Sequence, residues 1–339
     1  MNFRVRPARN EDFEAIYEMA KLTGGGFTNL PPDRAALVEK IIRSQRSFET
    51  ERSEPGDDMF LFVLENVDTG QIRGTCQVFG MVGTEHPFYS YRISTLTQSS
   101  KALGKTFKAQ MLSLTTDLEG SSEVGGLFLH PGERAGGLGL LLARSRYLFV
   151  RRHRERFARR LLAELRGVID EAGGSPFWDA IAGRFFGMNF QEADEFNASH
   201  GTQFIADLMP KTPIYTAMLP ESARTVMGVP HPSGRAAMRM LEREGFHYDC
   251  YIDIFDGGPT MIANTDQIHS VRDAREHMLA AVADEVEGPA MMLAAGRLGS
   301  FAAAYSNLHV AEDGATTISR SAAAMLGLAP GDSFTAIGR

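Results

Sequence analysis

The chain has 339 residues, 43% of them hydrophobic and 23% charged, with a formal net charge of −7. The length suffices for two or three domains, and the acidic balance excludes nucleic acid as the main partner, because phosphate binding calls for a basic face. No run approaches the ~18 apolar residues of a membrane helix, the opening MNFRVRPARNEDF lacks the apolar core of a signal peptide, and Cys76 and Cys250 read as reduced, buried small groups of a cytoplasmic protein.

Residues 3–6 alternate as a short strand, and Pro7 and Asn10 turn the chain into a helix at 12–22 with Phe13, Ile16, Tyr17 and Ala20 on one face. The glycine-rich 23–32 is a loop, and 34–48 reads as a second helix. Strands at 59–65 and 72–80 flank an NVDTG turn and form a hairpin. A further strand covers 89–95. Residues 124–129 are a strand, RAGGLG (134–139) is a glycine loop, and 138–149 is a helix. The basic run RRHRER (151–156) ends that helix where cations complement the dipole, which predicts a solvated face. Another strand lies within 160–169. Stretches 177–190 and 235–246 look alike, each an amphipathic helix closed by a glycine with an aromatic behind it. The second runs into a strand at 247–255. Residues 197–232 are rich in turns and lack periodicity, as loops that build sites often do. From about 290 onward, short apolar runs split by Gly, Asp and a PGD turn predict a small β-rich appendix, half of a little barrel.

The loop at 134–139 carries the most chemistry. Glycines at 137 and 139 let the backbone approach an anion closely. The N–H groups at a helix start are unpaired and the dipole there is positive. Arg134 can add a charge-assisted bond to phosphate. The spacing does not fit the G-x-G-x-x-G of dinucleotide folds, and Leu140 stands where a nucleotide P-loop needs Lys. A ligand-free turn stays open at this point.

Of nine histidines, His231 stands out. Pro230 and Pro232 hold its backbone extended. It precedes a helix that Ser233 could cap, and the positive helix end favours a neutral imidazole able to act as a base. His130, beside the glycine loop, is the rival. Glu123, at the head of the strand before the loop, is a third candidate base.

The order strand, helix, helix, hairpin, strand, glycine loop, helix, strand, helix, strand resembles the N-acetyltransferase (GNAT) superfamily, whose R/Q-x-x-G-x-G/A loop holds the pyrophosphate of coenzyme A. TGGG (23–26), LP (30–31), YR (91–92), GSSE (120–123), LFL (127–129), RGVIDE (166–171), SPFW (175–178), MPK and PIY (209–215), HP (231–232) and DIFDGGP (253–259) look like arginine N-succinyltransferase. The resemblance implies an α/β fold, a GNAT-like mixed β-sheet flanked by helices, duplicated if the two helical stretches are repeats, with a small β-rich C-terminal region. Residues 1–260 would be the acyl-CoA N-acyltransferase region, and 261–339 a helix plus the appendix. It also implies transfer of a succinyl group from succinyl-CoA to the α-amino group of L-arginine in arginine breakdown, with no metal, and oligomers with itself or a related chain. Ornithine, another amine or acyl donor, or a non-catalytic partner role are the alternatives.

On this resemblance, His231 falls on the proton-transferring histidine. Acyl-CoA contacts fall on Leu127, Leu129, Arg134, Gly136, Gly137, Leu138 and Gly139. The GG pair 125–126 would ease a bulge that frees a backbone N–H for the thioester oxygen. Asp170, Glu171, Asp253 and Asp256 are candidates for the guanidinium, and Arg92, Arg166 and Lys211 for the succinyl carboxylate; the sequence does not rank them.

Overall fold

The computed structural model describes residues 2–23, 29–134, 136–170, 172–193, 196 and 203–339. The central sheet runs in the order β1 (Phe3–Pro7), β2 (Met59–Asn66), β3 (Ile72–Phe79), β6 (Ser122–Leu129), β7 (Arg160–Glu164), β10 (Pro259–Asn264), β9 (His247–Ile252), β4 (Ser90–Ser100), β5 (Lys105–Thr115) and β8 (Ile214–Tyr215). Within it only the β6–β7 pair is parallel. The long β4–β5 hairpin exceeds the predicted strand at 89–95, and β10 was not foreseen. Most of β4 beyond Tyr91 is exposed or half-exposed, so no alternation of apolar residues announces it.

β2 is apolar at almost every position because both its faces are covered. Phe60, Phe62 and Leu64 face the core under α3 (Leu138–Arg152), whereas Met59, Leu61 and Val63 pack against α1 (Phe13–Lys21) and α2 (Arg34–Glu49). Phe48, Phe60, Phe62, Phe149 and Phe301 pack edge-on or tilted against one another at the centre of the α3 side.

The C-terminal strands β11 (Arg275–Ala283), β12 (Ala290–Ala295), β13 (Ala302–Val310), β14 (Thr316–Ser319) and β15 (Ser333–Gly338) close in the order β12-β15-β11-β14-β13-β12. This is a complete five-stranded barrel, not half of one. It is continuous with the main sheet, because β13 also pairs antiparallel with β1.

Three expectations fail. The 177–190 stretch is not one helix but two short ones, Pro176–Ala180 and Gly183–Phe186, broken at Ile181. Phe177, Trp178, Ala180, Ile181 and Ala182 are buried while Asp179, Arg184 and Phe185 are exposed, so the two short helices do not share one continuous apolar stripe as 235–246 does. The 151–156 run is not a solvated face. Arg156 is buried, bonded to Asp58 at 2.8 Å and to the carbonyls of Ser47 and Thr50, and His153 is buried as well. Cys76 is buried as expected, but Cys250 is exposed, at φ 60 within an irregular β9–β10 register. Among the described residues, no helix is long and apolar enough to cross a membrane.

Candidate active site

The sheet forks between β6 and β7. The two strands pair only at Ser122–Leu161 and Glu123–Leu162. Beyond Glu123, β6 stays with β3 while β7 stays with β10. A bulge bends β6 at the fork: Thr75 and Gln77 of β3 face Phe128 and Gly125, so three steps of β6 oppose two of β3. Gly126 takes φ 57 there, a left-handed conformation that a side chain would resist. The GG pair thus makes the bulge expected of it, with Leu127 next in the chain and half-buried against the main core.

The glycine loop leads from β6 to α3. Gly136 and Gly137 have φ 68 and 80, and Gly137 is the N-cap of α3. The loop therefore leads directly into the first N–H groups of a fifteen-residue helix. Among the described residues, the Arg134 side chain has no hydrogen bond or ion pair. Leu129 and Leu138 are half-buried and seat the loop on the core. Gly139 needs no special conformation, and a Cβ on it would meet only Leu129 at 3.7 Å. The barrel reaches this loop: the Tyr305 hydroxyl donates to the Gly137 carbonyl at 3.1 Å, the Arg339 guanidinium donates to the Gly136 carbonyl, and Arg339 lies over the Tyr305 ring at 4.6 Å.

The two His-Pro turns are built alike. His130 and His231 have backbone angles of (−52, 134) and (−49, 144), and each Nδ1 accepts from the N–H two residues on. Each main-chain N–H donates to an arginine carbonyl, Arg73 for His130 and Arg166 for His231. His231 therefore makes the cap contact itself, where Ser233 was expected to cap; α4 (Arg235–Arg243) follows after one 3-10 turn. The rings differ in surroundings. His130 Nδ1 also receives Arg73 Nη2 at 2.9 Å, and Arg73 in turn pairs with Glu133 at 3.0 Å. His231 Nδ1 faces Ser233 Oγ at 2.7 Å. Burial, and then the Arg166 cation, hold the His231 imidazole below the usual histidine range, which favours the neutral form.

On the sheet face away from α3, Glu123, Glu164, Asp253 and Asp256 cluster beside the fork. Burial raises all four, and repulsion from neighbouring carboxylates adds to it for Glu123, Glu164 and Asp256, with Glu123 and Asp256 pushed up to about 7. Asp253 accepts from the N–H groups of Phe255 and Asp256, and Asp256 from those of Gly167 and Gly258; these two carboxylates hold the β9–β10 turn and the end of β7. Asp170 caps its own turn through Ala172 and Gly174, and Glu171 lies outside the described residues. Arg92 pairs with Asp117 at 3.6 Å and stacks on Tyr251, and Lys211 lies over Tyr89. Of the three predicted cations only Arg166 stands by the fork. Glu164, Gln77, Tyr305 and Arg339 were missed. Glu164 had one signal, an acid inside the apolar run LLAEL; the others had none.

Comparison with known proteins gives a consistent result. Residues 3–270 match the family described as arginine N-succinyltransferase beta subunit, and residues 275–338 match its C-terminal domain. Arginine N-succinyltransferase of Citrobacter koseri is 43% identical over 286 residues, 84% of this chain and 80% of that protein. The Salmonella schwarzengrund protein of the same name is 43% identical over 271 residues, 80% of this chain and 78% of that one. The solved structure of arginine/ornithine succinyltransferase subunit AI from Pseudomonas aeruginosa superposes with a TM-score of 0.91 at 34% identity, covering 99% of this chain and 98% of that chain.

Proposed function

This chain belongs to the arginine N-succinyltransferase family, and we propose from that premise that it transfers the succinyl group of succinyl-CoA to the α-amino group of L-arginine. The observation that carries the reading is the fork itself: a bulged β6, a glycine loop on a helix N-terminus at its end, and His231 tied by its N–H to the Arg166 carbonyl on the opposite arm. The loop amides of Leu138 and Gly139, with Arg134, suit a pyrophosphate. Stretched along β6, the thioester would reach the bulge, where the Leu127 N–H is the donor for the carbonyl oxygen as negative charge develops.

His231 is the proton carrier in this reading. In the tautomer with the proton on Nδ1, His231 donates to Ser233 Oγ in place of accepting the Ser233 N–H, and the Nε2 lone pair is open to take a proton from the substrate ammonium. The amine then attacks the thioester carbon; the C–N bond forms, the C–S bond breaks, the imidazolium returns its proton to the thiolate, and the second proton of the new amide nitrogen leaves to the freed imidazole and from there to water. The related Pseudomonas protein is named for both arginine and ornithine, so ornithine is the second acceptor to assay. A thiol-release assay with succinyl-CoA tests the proposal. Release dependent on arginine supports it, and no release with either amino acid rejects it.

A further inference from the structure

Two carboxylates beside the fork are held by one side-chain hydrogen bond each, Glu123 by the Asn29 amide and Glu164 by the Thr260 hydroxyl. Glu123 of β6 is 6% exposed, and Glu164 at the end of β7 is half-buried. Strand register places them on one face: Phe79 pairs with Glu123, Glu123 with Leu162, and Glu164 lies two residues beyond Leu162. Gln77, two residues from Phe79 on β3, shares that face. Unlike Asp253 and Asp256, neither glutamate accepts a backbone N–H, and among the described residues neither has a salt-bridge partner. The ammonium of Lys40, which acts on Glu123 from a distance, is bonded to the Asn29 carbonyl at 2.8 Å and lies by the Phe79 ring.

A second observation points to a ligand. Gln77 is fully buried, its Nε2 donates to Asn29 Oδ1 at 2.5 Å, and its Oε1 has no hydrogen-bond partner. The Asn29 amide in turn bonds Glu123. A buried carbonyl oxygen left unpaired costs about 1–3 kcal/mol unless something donates to it. Apart from the Thr260 hydroxyl, which bonds Glu164, the groups left open here are acceptors: Gln77 Oε1 and the remaining oxygens of Glu123 and Glu164. Among the described residues, no three acidic, histidine or cysteine side chains converge as metal ligands would. A lining of acceptors matches an organic cation made only of donors, and the guanidinium has five N–H donors and no acceptor.

We propose that Glu123, Glu164 and Gln77 Oε1 form the subsite for the guanidinium of the acceptor amino acid. This rests on the arginine reading above. The subsite lies on the same side of the fork as Asp253 and Asp256, and Arg166 links that cluster to His231, since its charge acts on both Asp256 and His231. An acceptor anchored by its guanidinium would then extend its other end toward the histidine.

The test compares arginine with citrulline, in which a neutral ureido group replaces the guanidinium, on the parent protein, E164Q and E123Q. Glu164 carries the decision because it sits at the edge of solvent, whereas E123Q changes a buried group. The expected result in E164Q is a loss of roughly 10- to 100-fold in kcat/KM for arginine, mostly in KM, with citrulline unchanged or improved. CoA binding and melting temperature, measured alongside, should stay at parent values. A purely structural glutamate would lower both acceptors together. Retention of the parent arginine-to-citrulline ratio in E164Q overturns the subsite. Absence of thiol release from the parent protein would instead overturn the acyl-transfer reading on which it stands.

Discussion

The Tyr305 hydroxyl of the C-terminal barrel donates to the carbonyl of Gly137, the residue that caps α3 and forms the glycine loop. The barrel thus braces the glycine loop, which is the donor site under the proposed function. Three further ties lie along α3: Arg144 to the Gly338 carbonyl at 2.6 Å, Arg152 to the Gly296 carbonyl at 2.9 Å and to Thr335 Oγ at 2.8 Å. Replacing Tyr305 by Phe removes one hydrogen bond, worth about 1 kcal/mol, or roughly fivefold in affinity. Calorimetric titration with CoA should show that weakening while kcat at saturating donor is kept. Unchanged affinity would remove Tyr305 from the loop's function.

The β6 bulge should be more sensitive than the helix start. Gly126 has φ 57, and a Cβ there would come within 2.9 Å of Gln77 Cγ and Cδ. Gly126→Val should lower stability by about 1–2 kcal/mol and reduce kcat, because the amide beyond the bulge is re-aimed. Gly139→Ala is the contrasting variant. It meets nothing closer than 3.7 Å and replaces a poor helix former, so its melting temperature should hold or rise. Thermal melts and steady-state kinetics on both variants check the contrast.

His231 sets a pH signature. Its folded-state pKa is lowered, by burial first and Arg166 second, so the neutral base persists below the ordinary histidine range. The acid limb of kcat, with both substrates saturating, should therefore fall below pH ~6.5. Arg166→Met removes the smaller cause and should move the limb upward only in part. His231→Ala should lose about 10²–10⁴-fold in kcat and keep CoA affinity. A limb that stays in place in the Ala variant would assign the titration to another group.

His153 governs acid stability. It is fully buried, its ring bonds the Phe149 carbonyl at 3.0 Å, and its Nε2 accepts from the Leu298 N–H at 3.1 Å, so the ring must be neutral with the proton on Nδ1. Burial lowers its pKa from 6.5 to about 4. The unfolded chain therefore binds a proton between these values and the folded one does not. This contribution is fully present above pH 6.5 and is lost as pH falls toward 4, up to about 3 kcal/mol. Urea denaturation at pH 7.5, 6 and 5 should show the decline, and His153→Asn should flatten it while lowering stability at neutral pH. An equally steep decline in the variant would place the effect elsewhere.

Much of the chain was readable in one dimension. The spacing of Phe13, Ile16 and Ala20, the strand at β2, the hairpin turn at 66–70 and the loop-to-helix step at Gly137 are local. Each follows from backbone geometry and the period of a few neighbouring residues, and the family motifs lie in order along the same stretch. What folding alone decided are meetings of distant residues. Tyr305 reaches Gly137 across 168 positions and Arg156 reaches Asp58 across 98. Glu164 joins Glu123 only because two strands run parallel for two residues and then part, and the barrel closes only because β12 finds β13 as well as β15. A residue's own type and period state which way it must point, but not which segment will be waiting there. Pairing, burial and the resulting charge states are properties of the assembled sheet.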